Sequence, residues 1–394
     1  MKKIILSTLT AMTLGAVAAN AVDLYEDANG QVFTSAAEGR TLVSDKSTSW
    51  YSHTDKLKFS ALTYIGATAK DFDATGADTT AQMEIRRAYF QVKAYFLEDP
   101  KSYYRVTFDM SKDATGDEKL RAKYAYIYLN EVLPATGVEI GLAHRPWHDY
   151  EEHNSWYYRN ISKVLIEDKD HGPDLSNSAD FGVMTKTKTQ YFDADIGLFN
   201  GEGYHAAQNP QAPSSISFEW RTTAHLLGVS GKDKQTTKTY WDASFFGQYN
   251  MKHKDVTVGA AQEEQDLIFG GLHTVYNQPS FLVAAQYVYS DNTSDITNNV
   301  SAQAGSGYSM NAEYRLGAEK EYRVLARYDS WTSDVIPTGE TATKEDKGYI
   351  VGAAWEQHKN LQWVANAIIT DNEKGSAKYA NNGVAYMLTA EVRF

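Results

Sequence analysis

The chain has 394 residues, with 38 Lys+Arg against 50 Asp+Glu for a formal charge of −12, no cysteine, 8 prolines and 27 tyrosines. The missing thiols exclude a disulfide scaffold, thiolate metal sites and a cysteine nucleophile. The acidic balance argues against a general nucleic-acid binder, which needs a basic footprint. No stretch beyond the N-terminus has ~18 consecutive apolar residues, so helical spans are not expected. A Tyr-rich, Cys-free, acidic chain then leaves one membrane architecture open, the β-barrel.

Residues 1–21 read as a secretory leader. Lys2 and Lys3 form a positive start, Ile4 to Val17 is mostly apolar, and Ala19-Asn20-Ala21 offers the small residues that a signal peptidase inspects. Export is therefore expected, to the outer membrane of a Gram-negative cell if the rest is a barrel. Residues 22–55 follow as a periplasmic or lumen-filling segment, and 56–394 as the barrel itself.

Period-2 alternation over about ten residues, the mark of a membrane strand, recurs along that barrel region. It predicts sixteen strands: 56–66, 81–97, 101–111, 119–131, 136–145, 179–187, 190–199, 216–228, 239–251, 264–277, 280–290, 306–316, 320–331, 348–357, 360–371 and 383–394. In the last of these Val384, Tyr386, Leu388, Ala390, Val392 and Phe394 share one face, and Ala385, Met387, Thr389, Glu391 and Arg393 share the other. A helix with period 3.6 would not sort them so.

The connections alternate short and long. Asp99-Pro100, Pro134-Ala135, Lys188-Thr189, Gln278-Pro279 and Lys359 are short, whereas 67–80, 146–178, 200–215, 252–263, 291–305, 332–347 and 372–382 are long. Short periplasmic turns and long extracellular loops have this rhythm, and an even strand count returns the C-terminus to its starting side. The connection 229–238 is the one misfit, being long for a periplasmic turn. A soluble sandwich or propeller would also alternate, but it explains neither the rhythm nor the terminal Phe394. The fold class is thus an all-β, 16-stranded antiparallel transmembrane barrel, and barrels of that size leave an aqueous lumen.

Register then assigns an inward face. Arg87, Lys93, Arg105, Arg121, Lys123 and Arg145 fall on it over neighbouring strands, with Asp109 and Glu139 as the inward acids, and form a basic wall. Loop 146–178 carries Asp149, Glu151, Glu152, Glu167 and Asp168 among its acids and Trp147, Tyr150, Trp156, Tyr157 and Tyr158 among its aromatics. So many rings call for packing against something. Folded into the lumen, the loop would narrow it and set acids across from the basic wall, where opposed charges order water and sort solutes. Arg221, Arg315, Arg323 and Arg327 alternate with Glu219, Glu313 and Asp329 in the manner of charges that hold one another in place. His144, His148 and His153 lack metal-ligand spacing, and no Walker loop, dinucleotide glycine pattern or Gly-x-Ser-x-Gly elbow occurs. No enzyme activity, cofactor or metal is expected.

The run from Val138 to Trp147 (Val-Glu-Ile-Gly-Leu-Ala-His-Arg-Pro-Trp), Asp180-Phe181-Gly182-Val183, and Gly197-Leu198-Phe199-Asn200-Gly201-Glu202-Gly203 resemble the porin O/P-like family, which includes phosphate-selective porins. The likeness is to its epsilonproteobacterial members. It implies a homotrimeric outer-membrane channel for ions and small solutes, seated in lipid and lipopolysaccharide. Loop 146–178 would enter the lumen, and Phe394 would be read by the barrel-assembly machinery. Phosphate-selective relatives carry an arginine ladder and a lysine-rich constriction. Here Arg87, Arg105, Arg121 and Arg145 provide a partial ladder, but loop 146–178 is acidic. The reading is therefore passive diffusion of small hydrophilic solutes, with an anion- or phosphate-selective channel, or a non-conducting adhesin barrel, as alternatives.

Overall fold

The structure, a computed structural model, describes residues 24–27, 32–33, 37–44, 56–73, 79–112, 115–201, 203–204, 215–231, 236–258, 261–291, 303–334, 336–337 and 339–394. The leader expected at 1–21 lies outside them. The chain divides into two units, residues 1–59 with 92–104, and residues 60–91 with 105–394.

In the first unit, β1 (Leu24–Asp27), β2 (Val32–Phe33) and β3 (Arg40–Ser44) form a three-stranded antiparallel sheet in the order β2-β1-β3. The stretch 22–55, for which sequence offered no secondary structure, thus contains strands. The same unit holds the Asp99-Pro100 turn, where Lys101 N donates to Asp99 Oδ1 at 3.0 Å and Ser102 N to Asp99 O at 3.1 Å.

Sixteen further strands close into one antiparallel barrel. They are β4 (Leu57–Phe72), β5 (Thr80–Tyr95), β6 (Tyr103–Lys112), β7 (Glu118–Leu133), β8 (Thr136–His144), β9 (Ala179–Lys188), β10 (Phe192–Phe199) and β11 (Ile216–His225). The series continues with β12 (Tyr240–Val258), β13 (Ala261–Gln278), β14 (Phe281–Asp291), β15 (Gly305–Leu316), β16 (Tyr322–Ser333), β17 (Glu345–His358), β18 (Leu361–Asn372) and β19 (Gly383–Arg393). Closure joins β19 to β4 from Gly383↔Phe72 to Arg393↔Leu62, and Phe394 exchanges two backbone bonds with Ala61. No edge is left in the ring, so its backbone donors and acceptors can be met without water. No helix among the described residues is long and apolar enough to cross a membrane.

Alternation sorts the side chains as the period-2 pattern predicts. On β19, Tyr386 and Leu388 are 59 % and 51 % exposed, whereas Met387, Thr389 and Glu391 are buried. Exposed Ile140, Leu198, Tyr314, Val324 and Val351 continue the outward apolar surface, which suits hydrocarbon and would be an aggregation liability in water.

Three expectations needed correction. β4 runs to Phe72, so much of 67–80 is strand. β12 and β13 continue beyond their neighbours as a two-stranded ribbon, pairing Lys254↔Gln265 through Val258↔Ala261, so 252–263 is mostly strand. Loop 146–178 contains a helix, α1 (Pro146–Asn154). Pro146 occupies its first turn, where the fixed φ and missing N–H cost nothing.

Candidate functional site

Loop 146–178 lies inside the barrel and shares its main apolar cluster with the wall. Trp147, Tyr150, Trp156, Tyr158, Ile161, Val164, Leu165, Ile166 and Leu175 cluster with wall residues that include Phe246, Phe269, Val288, Trp331 and Ile350. The Trp147 and Phe246 rings stack 3.7 Å apart at 5°, which pins α1 to β12. Polar bonds fix the loop further along. Tyr150 donates to Asp242 at 2.9 Å, Tyr158 donates to Glu313, Asn311 donates to the Ser155 carbonyl at 2.7 Å, and Arg327 to the Lys163 carbonyl at 2.7 Å.

The returning arm is held as tightly. His171 Nε2 is 3.0 Å from Asp329 Oδ2, Asn372 donates to the Asp170 carbonyl at 3.0 Å, Gln303 to the Asp174 carbonyl at 2.8 Å, and Lys378 to the Gly172 carbonyl. Gly348 is required here: a Cβ on it would collide with the His171 ring. The loop is therefore docked to the half of the wall formed by β12–β18.

The acids named from sequence mostly hold the loop together. Glu152 and Glu167 flank Arg159 at 2.9 and 2.7 Å, and Glu167 also meets Lys163 at 3.0 Å. Burial opposes the Glu167 charge, but Arg159 and Lys163 outweigh it and hold the carboxyl well below its usual range. Asp168 Oδ1 accepts backbone N–H groups of Asp170 and His171 at 2.9 Å each, and lies 3.4 Å from His171 Nδ1. Burial opposes protonation of His171, yet Asp168 and Asp329 hold it above its ordinary value. Glu151 is 4 % exposed, accepts from Gln286 at 2.5 Å, and is pushed by burial up to about 8. Asp149 turns to Lys186 at 3.5 Å and His153 at 3.4 Å.

The basic residues separate into different environments. Arg87 pairs with Asp109 at 2.8 Å and retains 18 % side-chain exposure. Arg105 is half-buried; its guanidinium meets the Tyr126 hydroxyl at 3.2 Å and His144 Nε2 at 3.0 Å, and lies 4.7 Å from the centre of the Tyr124 ring. A guanidinium only donates, so His144 Nε2 accepts. Lys123 is 3 % exposed, with Nζ 3.4 Å from the Tyr89 hydroxyl. Arg121 is half-buried. Lys93 belongs to the first unit, 4.5 Å over the Tyr103 ring.

Arg145 departs from the sequence reading of a lumen-facing cation. It is 2 % exposed and lies 3.1 Å from both Asp180 and Glu219, at the junction of β8 and α1. A guanidinium so enclosed anchors the base of the loop. In the second basic set Arg315 pairs with Glu313 and Arg327 with Asp329 at 2.9 Å, as their interleaving suggests, whereas Arg323 turns to Glu356 at 2.6 Å and Arg221 to Asp195 at 2.7 Å, and Glu219 is taken by Arg145.

Sequence reasoning missed the tyrosines among these cations. Tyr64, Tyr124 and Tyr126 are buried, and Tyr89 and Tyr204 half-buried. Consecutive Lys123 and Tyr124 both face inward because alternation slips by one residue on β7, which a strict period-2 reading does not reveal. The histidines do not converge. His148 faces the Ser176 carbonyl at 3.3 Å and His153 the Asp149 carbonyl at 2.7 Å, while His144 meets Arg105. Among the described residues no group of three or more His, Asp or Glu is placed to hold a metal ion.

Several solved outer-membrane proteins share this architecture. OmpF of Salmonella typhi, in a complex with daunomycin, matches with a TM-score of 0.60 at 12 % identity over 87 % of this chain and 99 % of that one. In-vitro folded OmpT of Vibrio cholerae, in its trimer form, matches with a TM-score of 0.55 at 13 % identity over 86 % and 100 %. No family model and no curated protein matches the chain. At such identities the likeness establishes the fold, a closed 16-stranded porin-like barrel.

Proposed function

We propose that this chain is an outer-membrane channel of the porin type, through which small hydrophilic solutes and ions diffuse passively. The observation that carries the reading is a long loop held inside a closed 16-stranded barrel and docked to one half of its wall. Barrels of this strand number have room for an aqueous path. A loop docked to β12–β18 narrows that path, and the Arg, Lys and Tyr side chains of β5–β8 line its other side. The leader at 1–21, an outer-membrane location among lipid and lipopolysaccharide, homotrimer assembly, and recognition of Phe394 by the assembly machinery belong to the same proposal. The Phe394 ring is 77 % exposed, as such recognition needs.

A second reading, anion selectivity of the porin O/P-like kind, is favoured by one observation. The loop's Glu152, Glu167 and Asp168 are occupied by Arg159, Lys163 and His171, while Arg105 and Lys123 face tyrosine rings and hydroxyls. The transverse field inferred between Glu151 or Glu152 and the basic wall is correspondingly weakened, and a net basic lining is left.

The test is the reversal potential of purified protein in a planar bilayer under a KCl gradient. Conducting steps of either sign support the channel. An anion-selective sign favours the second reading, and a cation-selective sign returns control to the loop acids. Inserted protein without conductance would overturn both readings and leave a surface or adhesin barrel.

A further inference from the structure

We infer that the wall across from the docked loop is a binding subsite for planar aromatic carboxylates, formed by Arg87, Tyr89, Arg105, Lys123, Tyr124 and Tyr204. The inference rests on the channel reading above and specifies its solute class.

The cations here are arranged on rings. Lys123 Nζ lies 4.8 Å from the Tyr89 ring centre, 5.4 Å from Tyr124 and 5.9 Å from Tyr204. The Arg105 guanidinium lies 4.7 Å from the centre of Tyr124. Of the nearby carboxylates, Asp109 is engaged by Arg87 at 2.8 Å and by the Tyr204 hydroxyl at 3.4 Å, while Glu139 and Asp149 lie against His144 at 3.6 and 3.9 Å. Arg87, Tyr89, Arg105 and Tyr204 are half-buried, whereas Lys123 and Tyr124 are buried. Tyr64 backs Tyr89 edge-on at 6.1 Å.

Each alternative solute would use only part of this lining. Chloride or an inorganic oxyanion takes the cations and gains little from ring faces. A neutral sugar takes hydroxyls but brings no counter-charge to Arg105 and Lys123, which rest on tyrosine rings. A benzoate-like anion uses both. Its carboxylate matches the planar fork of Arg87 or Arg105, and its ring packs edge or face against tyrosine. Because cation–π contact already restrains Lys123 and Arg105, less side-chain freedom is lost on binding.

The experiment is a single-channel chloride recording with added benzoate, cyclohexanecarboxylate or acetate. All three carry one carboxylate, and the first two differ in planarity and π character. Benzoate should block the current at a concentration on the order of two- to tenfold lower than cyclohexanecarboxylate, with acetate weakest. Tyr89→Leu should erase the benzoate preference and Lys123→Gln should weaken block by all three anions, each read as the fraction of that variant's own unblocked chloride current. A conducting wild-type channel that handles benzoate and cyclohexanecarboxylate alike would overturn this inference and leave the channel reading intact. Absence of chloride conductance would overturn both. The wild-type series decides the matter even where a variant fails to assemble.

Discussion

Replacing Arg145 with Met should be among the most damaging single changes in the protein, and the structure says by how much. The guanidinium is 2 % exposed; NH2 lies 3.1 Å from Asp180, from Glu219 and from the Gly201 carbonyl, while NH1 donates to Ser176. Met keeps the packed stem and removes the charge, leaving two buried carboxylates side by side. Breaking a buried pair in this way costs ~3–5 kcal/mol. The two acids are unequally stranded. Asp180 keeps the backbone N–H groups of Phe181 at 2.7 Å and Gly201 at 2.6 Å, whereas Glu219 is left with the Ser217 hydroxyl at 3.0 Å. Adding Glu219→Gln should therefore restore about 1–3 kcal/mol, the cost of an unmet buried group. The assay is reversible urea unfolding in lipid vesicles, followed by tryptophan fluorescence, for the wild type, both single variants and the double. A loss below ~1 kcal/mol, the scale of a surface pair, would refute the anchor role. So would a double variant no more stable than Arg145→Met alone.

Register can be tested by charge. Leu388→Arg on the lipid face should cost about 2–4 kcal/mol near the midplane, and Gln91→Arg on the lumen face far less; equal losses in the same unfolding assay would contradict the face assignment. Gly348→Ala should push His171 away from Asp329, at about 1–3 kcal/mol of overpacking, and appear as larger current fluctuations from an undocked loop tip. Quiet traces like those of the wild type would argue against this latch. Loop docking should also weaken on both sides of an optimum pH. The raised His171 stabilises docking fully below its ordinary 6.5 and ceases to do so as pH rises through its folded value; Glu151 works in the same direction, its docked protonated form losing ground between 4.5 and about 8. On the acid side, His148, lowered by burial to about 3, opposes docking as pH falls below 6.5, and the depressed Glu167 and Asp168 lose their contribution as they protonate. Glu151→Gln should flatten the limb between 4.5 and 8 in recordings of current noise against pH, and an unchanged limb would show that Glu151 does not control it.

The barrel was legible because its two determinants are local. Period 2 sorts Tyr386 and Leu388 from Met387 and Thr389 within one strand, and the alternation of short and long connections orders neighbouring strands. Where the reading slipped, the controlling interaction was not local. The ribbon at 252–263 depends on two strands pairing beyond their neighbours. The inward placement of both Lys123 and Tyr124 depends on a shift that leaves residue types unchanged.

Loop 146–178 shows the same division. Its aromatics announced packing, and its entry into the lumen was implied only by the family resemblance. Nothing in the order of residues shows that Trp147 stacks on Phe246, ninety-nine positions away, or that His171 needs a glycine at 348. Charge was the least legible property. Composition counts Arg145 and Arg105 as equal cations, yet one is enclosed by Asp180 and Glu219 and the other lies over tyrosines. Sequence by itself determined the number and order of the barrel strands and most of their faces, since these follow from periodicity and chain connectivity; the pose of loop 146–178 it left open. Only the tertiary structure decided which charges cancel and which face the lumen, because an ion pair forms between side chains that the barrel brings together from distant strands.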